Sequence, residues 1–397
     1  MMALSLSIPE DIISTILDEL SSDIVSLEQC SLVSRSFLPL SQKHLFSSIC
    51  LDHSTRIRGF YRLITNNAAF ASYIRRVEII NFDDPGGRDW VMFEHTLVPL
   101  LQTLHNLHAF TLRNRFGPPL PWNTLPANLR SAILDLSVPS ITLEYVVDVP
   151  MGHFARLVRL KSLKLVEVES DLGHPLDWVP LGASLPSPQP VGYLESLKIV
   201  NSPMCGRHLV TTLTDPRSSL KLSRLKDLEV WGDNGFTGTI MKAAGKSLQR
   251  VEWYGLGKEK DYHLDPSRFP SSFSELRALC SLKITTEFAH GDVDDPLLLL
   301  AQALTGATPG DTCALQDLNI FISFGWTPHR DVRAIDEYVF WPALDKALTR
   351  PGVYMELKRV GIGLMVRGGR ETFAGLSKRR MPMLLERGVL RMMFDND

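Results

Sequence analysis

One short pattern recurs along most of this chain. An aliphatic residue is followed by two variable positions, an apolar residue, one variable position and another apolar residue. Clear copies are Leu160-Leu163-Leu165, Leu194-Leu197-Ile199, Leu225-Leu228-Val230, Leu279-Leu282-Ile284 and Leu315-Leu318-Ile320; looser ones start at Ile74, Leu107, Leu129, Leu248 and Leu357. The ten starts recur about every 31 residues, which marks an architecture built from stacked units. Apolar residues two apart, at the fourth and sixth positions, signal a strand with one buried face. Between the copies, 90–104, 297–304 and 332–348 carry apolar residues three and four apart, which is helical spacing. The fifth position holds Lys164, Lys198, Glu229, Glu252 and Lys283. Those side chains need water, so the strands have one wet face. A doubly wound sheet, buried on both faces, would have near-continuous apolar strands instead.

A strand and a helix per unit resembles the leucine-rich repeat. The resemblance implies an α/β solenoid with a parallel sheet on the concave face and helices on the convex face. The family places Asn or Cys at the ninth position, where the side chain bonds the turn backbone. Here only Ser137, Ser202, Asp233 and Ser323 of the ten ninth-position residues are small and polar. An irregular arc is therefore expected, with the Pro-rich stretches 117–126 and 175–190 as insertions on its rim.

The first fifty residues follow a different pattern. Ser7-Ile8-Pro9-Glu10 reads as a helix start with a capping box. Ile12, Ile13, Ile16, Leu17 and Leu20 lie on helical spacing, and Ser21-Ser22-Asp23 makes a turn or a second cap. Leu27, Cys30, Leu32 and Val33 continue into a second helix. Phe37, Leu40, Leu45 and Phe46 mark a third, from about 36 to 46. Three short helices bury too little surface to be comfortably stable alone, so this segment should dock onto something. The residues Ile8-Pro9-Glu10, Ile12-Ile13, Ile16-Leu17, Leu20 and Leu32-Val33-Ser34-Arg35, with Phe37, resemble an F-box of the kind common in the expanded fungal families. Phe37 stands where many relatives carry Trp, and Ile8 where Leu is commoner; both swaps conserve apolar volume. The expected organisation is an F-box-like helical domain at 1–52, a connecting helix at 53–72 and the repeats at 73–397.

Charge separates the same segments. The whole chain carries 42 basic and 44 acidic residues, for a net charge of −2. Residues 1–52 hold two basic and seven acidic side chains, and residues 351–397 hold nine and five. The overall balance argues against a nucleic-acid partner, which needs many cations to displace counterions. The five cysteines are scattered, with no C-x-x-C pair, so neither a disulfide framework nor a zinc pattern is indicated. The opening residues lack the charge and apolar core of a signal peptide, and the longest apolar run, near 297–300, is far short of a membrane span. A soluble cytoplasmic or nuclear protein with no membrane partner is expected.

Sequence motifs for catalysis are missing: G-x-S-x-G, a phosphate-binding glycine loop and H-E-x-x-H do not occur. Gly361-Ile-Gly363 lacks a third glycine. His290, Asp292, Asp294 and Asp295 read as a helix cap rather than a metal site, and 83–87 as a turn. The seventh position is more informative. Trp231, Tyr254 and Phe321 should sit on the wet face, beside Lys198, Glu229, Glu252 and Lys283. Exposed aromatics among mixed charges suit a protein-binding surface. The F-box resemblance implies a substrate-receptor subunit of a cullin-RING ubiquitin ligase. It would use no catalytic residue, metal or cofactor of its own. It would dock on a Skp-type adaptor through residues drawn from Ile8, Pro9, Ile12, Ile13, Leu17, Leu32, Val33 and Phe37, some of which must instead form the helical core. An unidentified client protein would bind the repeats. Two alternatives are a non-catalytic repeat scaffold acting outside ubiquitin transfer and an enzyme on an α/β scaffold.

Overall fold

The computed structural model describes residues 8–82, 89–115, 117–170, 190–232, 235–256, 273–288, 297–306, 312–324, 338–365 and 375–394. Ser7, the turn at 83–87, the Pro-rich stretch 175–189 and the cluster at 290–295 lie outside them. The chain divides into two units, Met1–Val149 and Pro150–Asp397.

The first unit opens with helices α1 (Glu10–Glu19), α2 (Ile24–Val33) and α3 (Phe37–Leu45). Pro9 occupies the position before α1, with no side-chain cap. Its missing N–H costs nothing where helical donors are unpaired anyway. Asp23 caps α2: its carboxylate accepts the Ser26 N–H at 3.1 Å and the Ser26 hydroxyl at 2.6 Å. Ile13, Leu17 and Leu27 form the core of this trio, with Leu20, Cys30, Phe37, Leu40 and Leu45 packed around them. Burying each of the three contributes roughly 1.5–3 kcal/mol, a thin core for three helices.

Strand β1 (Ser48–Leu51) follows directly, inside the span expected to be purely helical. The connecting segment folds as two helices, α4 (Ser54–Asn66) and α5 (Ala68–Tyr73), parted at Asn67, whose side chain accepts the Ala69 N–H. Next come β2 (Arg76–Asn81), α6 (Trp90–Phe93), α7 (Leu97–Thr103), β3 (Ala109–Asn114), β4 (Leu120–Pro121), α8 (Ala127–Leu134), β5 (Ser140–Glu144) and β6 (Val146–Val147). The helix expected over 90–104 is broken at Glu94, whose carboxylate takes the Thr96 N–H and hydroxyl. Strands β1, β2, β3 and β5 pair in parallel in that order, and β4 pairs with β6. Leu129, read as a repeat start, lies in α8 instead. Leu129 and Ile133 are buried four residues apart, and the strand follows Val138. That run satisfies the helical and the repeat spacing at once.

The second unit carries β7 (Ser162–Val166), β8 (Gly192–Tyr193), β9 (Ser196–Val200), β10 (Leu220–Lys221), β11 (Asp227–Trp231), β12 (Arg250–Leu256), β13 (Ser281–Phe288), β14 (Asp317–Phe324), β15 (Arg359–Met365) and β16 (Leu390–Phe394). Apart from the short β8–β10 pair, each strand lies parallel beside the next one in sequence. Helices α9 (Pro203–Thr214), α10 (Thr237–Ala244) and α11 (Leu298–Thr305) fall between strands, as do further helices at Phe340–Leu348, Leu376–Arg380 and Pro382–Glu386. The segment 338–348, expected to be helical from 332, is helical from Phe340. The protein is thus a mixed α/β fold with a large parallel sheet in sequential strand order, compatible with a solenoid.

The inward rows explain the order. Leu163 and Leu165, Leu197 and Ile199, Leu228 and Val230, Val251 and Trp253, Leu282 and Ile284, Leu318 and Ile320, and Val360 and Ile362 are all buried. One strand cannot bury such a row, but successive strands stack theirs. The chain leaves several strands by a sharp turn one residue past the seventh position. Tyr145, Glu167, Asn201 and Gly232 there have φ of 59°, 50°, 48° and 71°. The left-handed region suits glycine and asparagine and strains the other two. The Glu167, Asn201 and Gly232 N–H groups bond the carbonyls of Val200, Trp231 and Tyr254 on the next strand.

Candidate binding surfaces

The expected site residues of the helical trio separate into two sets. Ile13 and Leu17 are fully buried and Phe37 is half-buried against them, so these three hold the fold. Ile8, Pro9, Ile12, Leu32 and Val33 are exposed; Leu32 is 79% accessible. The reason is helical geometry. Positions 13 and 17 lie four apart on the inner face of α1, and positions 12 and 16 lie on the flank beside it. Sequence spacing flagged all four without saying which pair faced inward. The structure adds Ile16, Ile24, Val25 and Leu38 to the exposed set. Among the described residues, eight of the sixteen exposed large hydrophobic side chains therefore fall between Ile8 and Leu38. Scattered exposed apolar residues are ordinary, whereas a concentration of this kind is what interaction surfaces carry.

In the second unit the outward side chains form rows across the strands. Cα register pairs Lys198 with Glu229, Glu229 with Glu252, and Glu252 with Lys283. The bonding follows the register. Lys198 Nζ donates to Glu229 Oε1 at 2.6 Å, and Lys283 Nζ donates to Glu252 Oε2 at 3.2 Å. Glu229 Oε1 also accepts Trp231 Nε1 at 2.9 Å, and Glu252 Oε2 accepts the Tyr254 hydroxyl at 2.7 Å. Two carboxylates directly opposite one another would repel. Here each is held by a lysine from the strand beyond it.

The seventh-position row lies beside this charged row. Trp231 is paired with Tyr254 in register, and their rings stack with centroids 4.1 Å apart at an interplanar angle of 33°. Such stacking contributes about 0.5–1.5 kcal/mol beyond area burial. Thr285 interrupts the row on β13, and Lys283 fills the gap. Its ammonium lies 5.1 Å from the Tyr254 ring centroid and 5.8 Å from that of Phe321. Trp231 remains 37% exposed, while Tyr254 and Phe321 are half-buried by these contacts. The seven residues expected at this surface are thus brought together.

The network also sets the charge states. Burial alone would raise the Glu252 carboxyl, but the hydrogen bonds from Tyr254 and Lys283 outweigh it and hold the group below its ordinary value. Burial, with the carboxylate of Glu252 alongside, pushes the Tyr254 hydroxyl up. Burial would lower Lys283, but its bonds to Tyr254 and Glu252 raise it. Near neutral pH Glu252 and Lys283 therefore face each other as a charged pair beside the Tyr254 ring.

Sequence reasoning missed two features. The glycines of Gly361-Ile-Gly363 are on β15, in register with Asn319 and Phe321. Cβ atoms there would collide with the Asn319 amide and the Phe321 ring, so the bare backbone gives those side chains room. The second is the polar turn ladder, which starts at the eighth position and not at the ninth. Asn81 Nδ2 donates to Asn114 Oδ1 at 3.0 Å and to Asp89 at 2.6 Å; Asn114 Nδ2 donates to the Pro118 carbonyl at 2.6 Å. At the ninth position Ser202 does bridge turns: it accepts the Val168 N–H at 2.8 Å and donates to the Val200 carbonyl at 2.7 Å.

One serine–histidine contact bears on the enzyme alternative. Ser170 Oγ lies 2.8 Å from His208 Nδ1. Ser170 is buried, and burial pushes the nearby Cys205 thiol up, away from the reactive thiolate. The contact ties the chain after β7 to α9. Among the described residues, no helix is long and apolar enough to cross a membrane. A scan against protein-family models and a search of curated proteins found no match to this chain.

Proposed function

We propose that this chain is a substrate-receptor subunit of a cullin-RING ubiquitin ligase. In this reading the N-terminal trio is an F-box that docks on a Skp-type adaptor through Ile8, Pro9, Ile12, Leu32 and Val33. Residues 73–397 are a degenerate leucine-rich-repeat domain that holds a client protein on the row containing Trp231, Tyr254 and Phe321. The protein performs no chemistry itself. It raises the concentration of client beside the ubiquitin-conjugating machinery.

The concentration of exposed apolar side chains between Ile8 and Leu38 is the observation that carries this reading. Exposed apolar side chains in this segment support the docking that the sequence resemblance implies. A purified Skp-type adaptor tests it against the full chain and Leu32→Asp/Val33→Asp. The expected result is at least a tenfold loss of adaptor affinity, about 1.4 kcal/mol or more, with the unfolding midpoint unchanged. Leu17→Ala should behave oppositely and destabilise the fold by about 2–5 kcal/mol. If deletion of residues 1–50 leaves adaptor recovery intact, the ligase reading fails, and the alternative of a repeat scaffold outside ubiquitin transfer takes its place.

A further inference from the structure

We propose that two copies of this chain associate head to tail, the N-terminal trio of one docking on the C-terminal end of the second unit in the other. The two surfaces are complementary in charge and both carry exposed apolar side chains.

On the trio, acids are interleaved with the apolar residues. Asp11 is next to Ile12 in sequence, Glu19 lies three residues from Ile16, and Glu28 lies three from Val25 and four from Leu32. All are exposed. Residues 8–52 hold seven acidic and two basic side chains.

At the other end, the helices Phe340–Leu348 and Pro382–Glu386 are tied together. Buried Asp345 accepts the Met383 and Leu384 N–H groups at 3.1 and 2.8 Å. Arg387 donates to the Leu348 and Tyr354 carbonyls at 3.1 and 2.8 Å. These bonds hold together the segments that carry Met383, Leu385 and Met355, which are exposed at 50%, 40% and 70%. Leu390 and Met392 of β16 are half-buried, where their row mates Val360 and Ile362 are fully buried. The segment 375–394 carries Lys378, Arg379, Arg380, Arg387 and Arg391 against Glu386 alone. Methionine adapts to the shape of what covers it, and opposite fields orient the encounter. Neither surface complements itself, since acid would meet acid and base would meet base. The contact therefore joins unlike surfaces, the acidic one of one copy and the basic one of the other. It uses the face assigned to the adaptor, so adaptor and second copy would compete.

Sedimentation velocity of the full chain from about 1 to 100 μM, a range that reports micromolar contacts, reads the association directly. Its average mass should rise above the monomer's 44.5 kDa. Two charge-reversal variants, Asp11→Lys/Glu19→Lys and Lys378→Glu/Arg391→Glu, should each weaken association at least tenfold. An equimolar mixture should restore it, because each then meets an opposite charge on the other. A monomer at every concentration would overturn the proposal, as would variants that associate like wild type or a mixture that stays monomeric although both members melt like wild type. The adaptor is absent from these measurements, so they can fail while the ligase reading stands, and the reverse.

Discussion

The ring of Phe321 occupies the space where a side chain on Gly363, its register partner on the next strand, would begin. The ring can come this close because β15 presents bare backbone there. Gly363→Ala would drive a methyl group into that ring. Overpacking of this kind costs about 1–3 kcal/mol, offset in part by alanine's smaller loss of backbone freedom. Denaturant unfolding should show a net loss, and Phe321→Ala in the same background should recover part of it. Equal stability of Gly363→Ala and wild type would contradict the packing described.

Ser202 gives a second expectation. Its buried hydroxyl satisfies the Val168 N–H and the Val200 carbonyl at once. Alanine would leave a buried donor without its partner, at a cost of about 1–3 kcal/mol. Hydrogen exchange at the Val168 amide should accelerate in Ser202→Ala. An unchanged rate there, or full stability, would remove the bridge from the account.

Glu94 predicts a pH effect. Its side chain is almost wholly buried; it accepts two bonds from Thr96 and one from Arg58 Nε at 3.0 Å. Burial alone would raise the carboxyl, but these partners outweigh it and hold the group below its ordinary value of 4.5. The sign follows from linkage. The unfolded state binds the proton more readily, so the stabilisation is present above the ordinary glutamate range and fades as pH falls through the lowered value. Glu94→Gln should be less stable than wild type at pH 7, and the gap should narrow below about pH 4. A constant gap across that range would argue that Glu94 is not charged in the fold.

The strand positions were the most legible part of the sequence. Nine of the ten repeat starts lead into strands two residues on, because the spacing of inward residues is imposed by a buried row that every strand shares. Leu129 deceived because leucine and isoleucine at 129, 133 and 134 fit both periods. The outer face was legible too: Lys198, Glu229, Glu252 and Lys283 were placed by parity alone. What parity does not contain is partnership. The side of Glu252 from which Lys283 approaches depends on strand order, and the role of Gly363 depends on a residue 42 positions earlier. On α1, Ile12 and Ile13 differ by one residue and by nearly everything else, since a 100° step carries one into the core and leaves the other in water.

Neighbour-only pairing from β11 to β16 also has a mechanical meaning. Each strand is held by those beside it in sequence, and parallel register places every crossover on the path of the load. Traction on the chain beyond Phe394 would peel β16 from β15 before any other pair felt the force. Extension should then proceed in a sawtooth, each step releasing one strand with its connecting segment, instead of one abrupt rupture of the whole sheet. The step lengths would reproduce the uneven spacing of the repeats, so the irregularity of the sequence would be read out as distance.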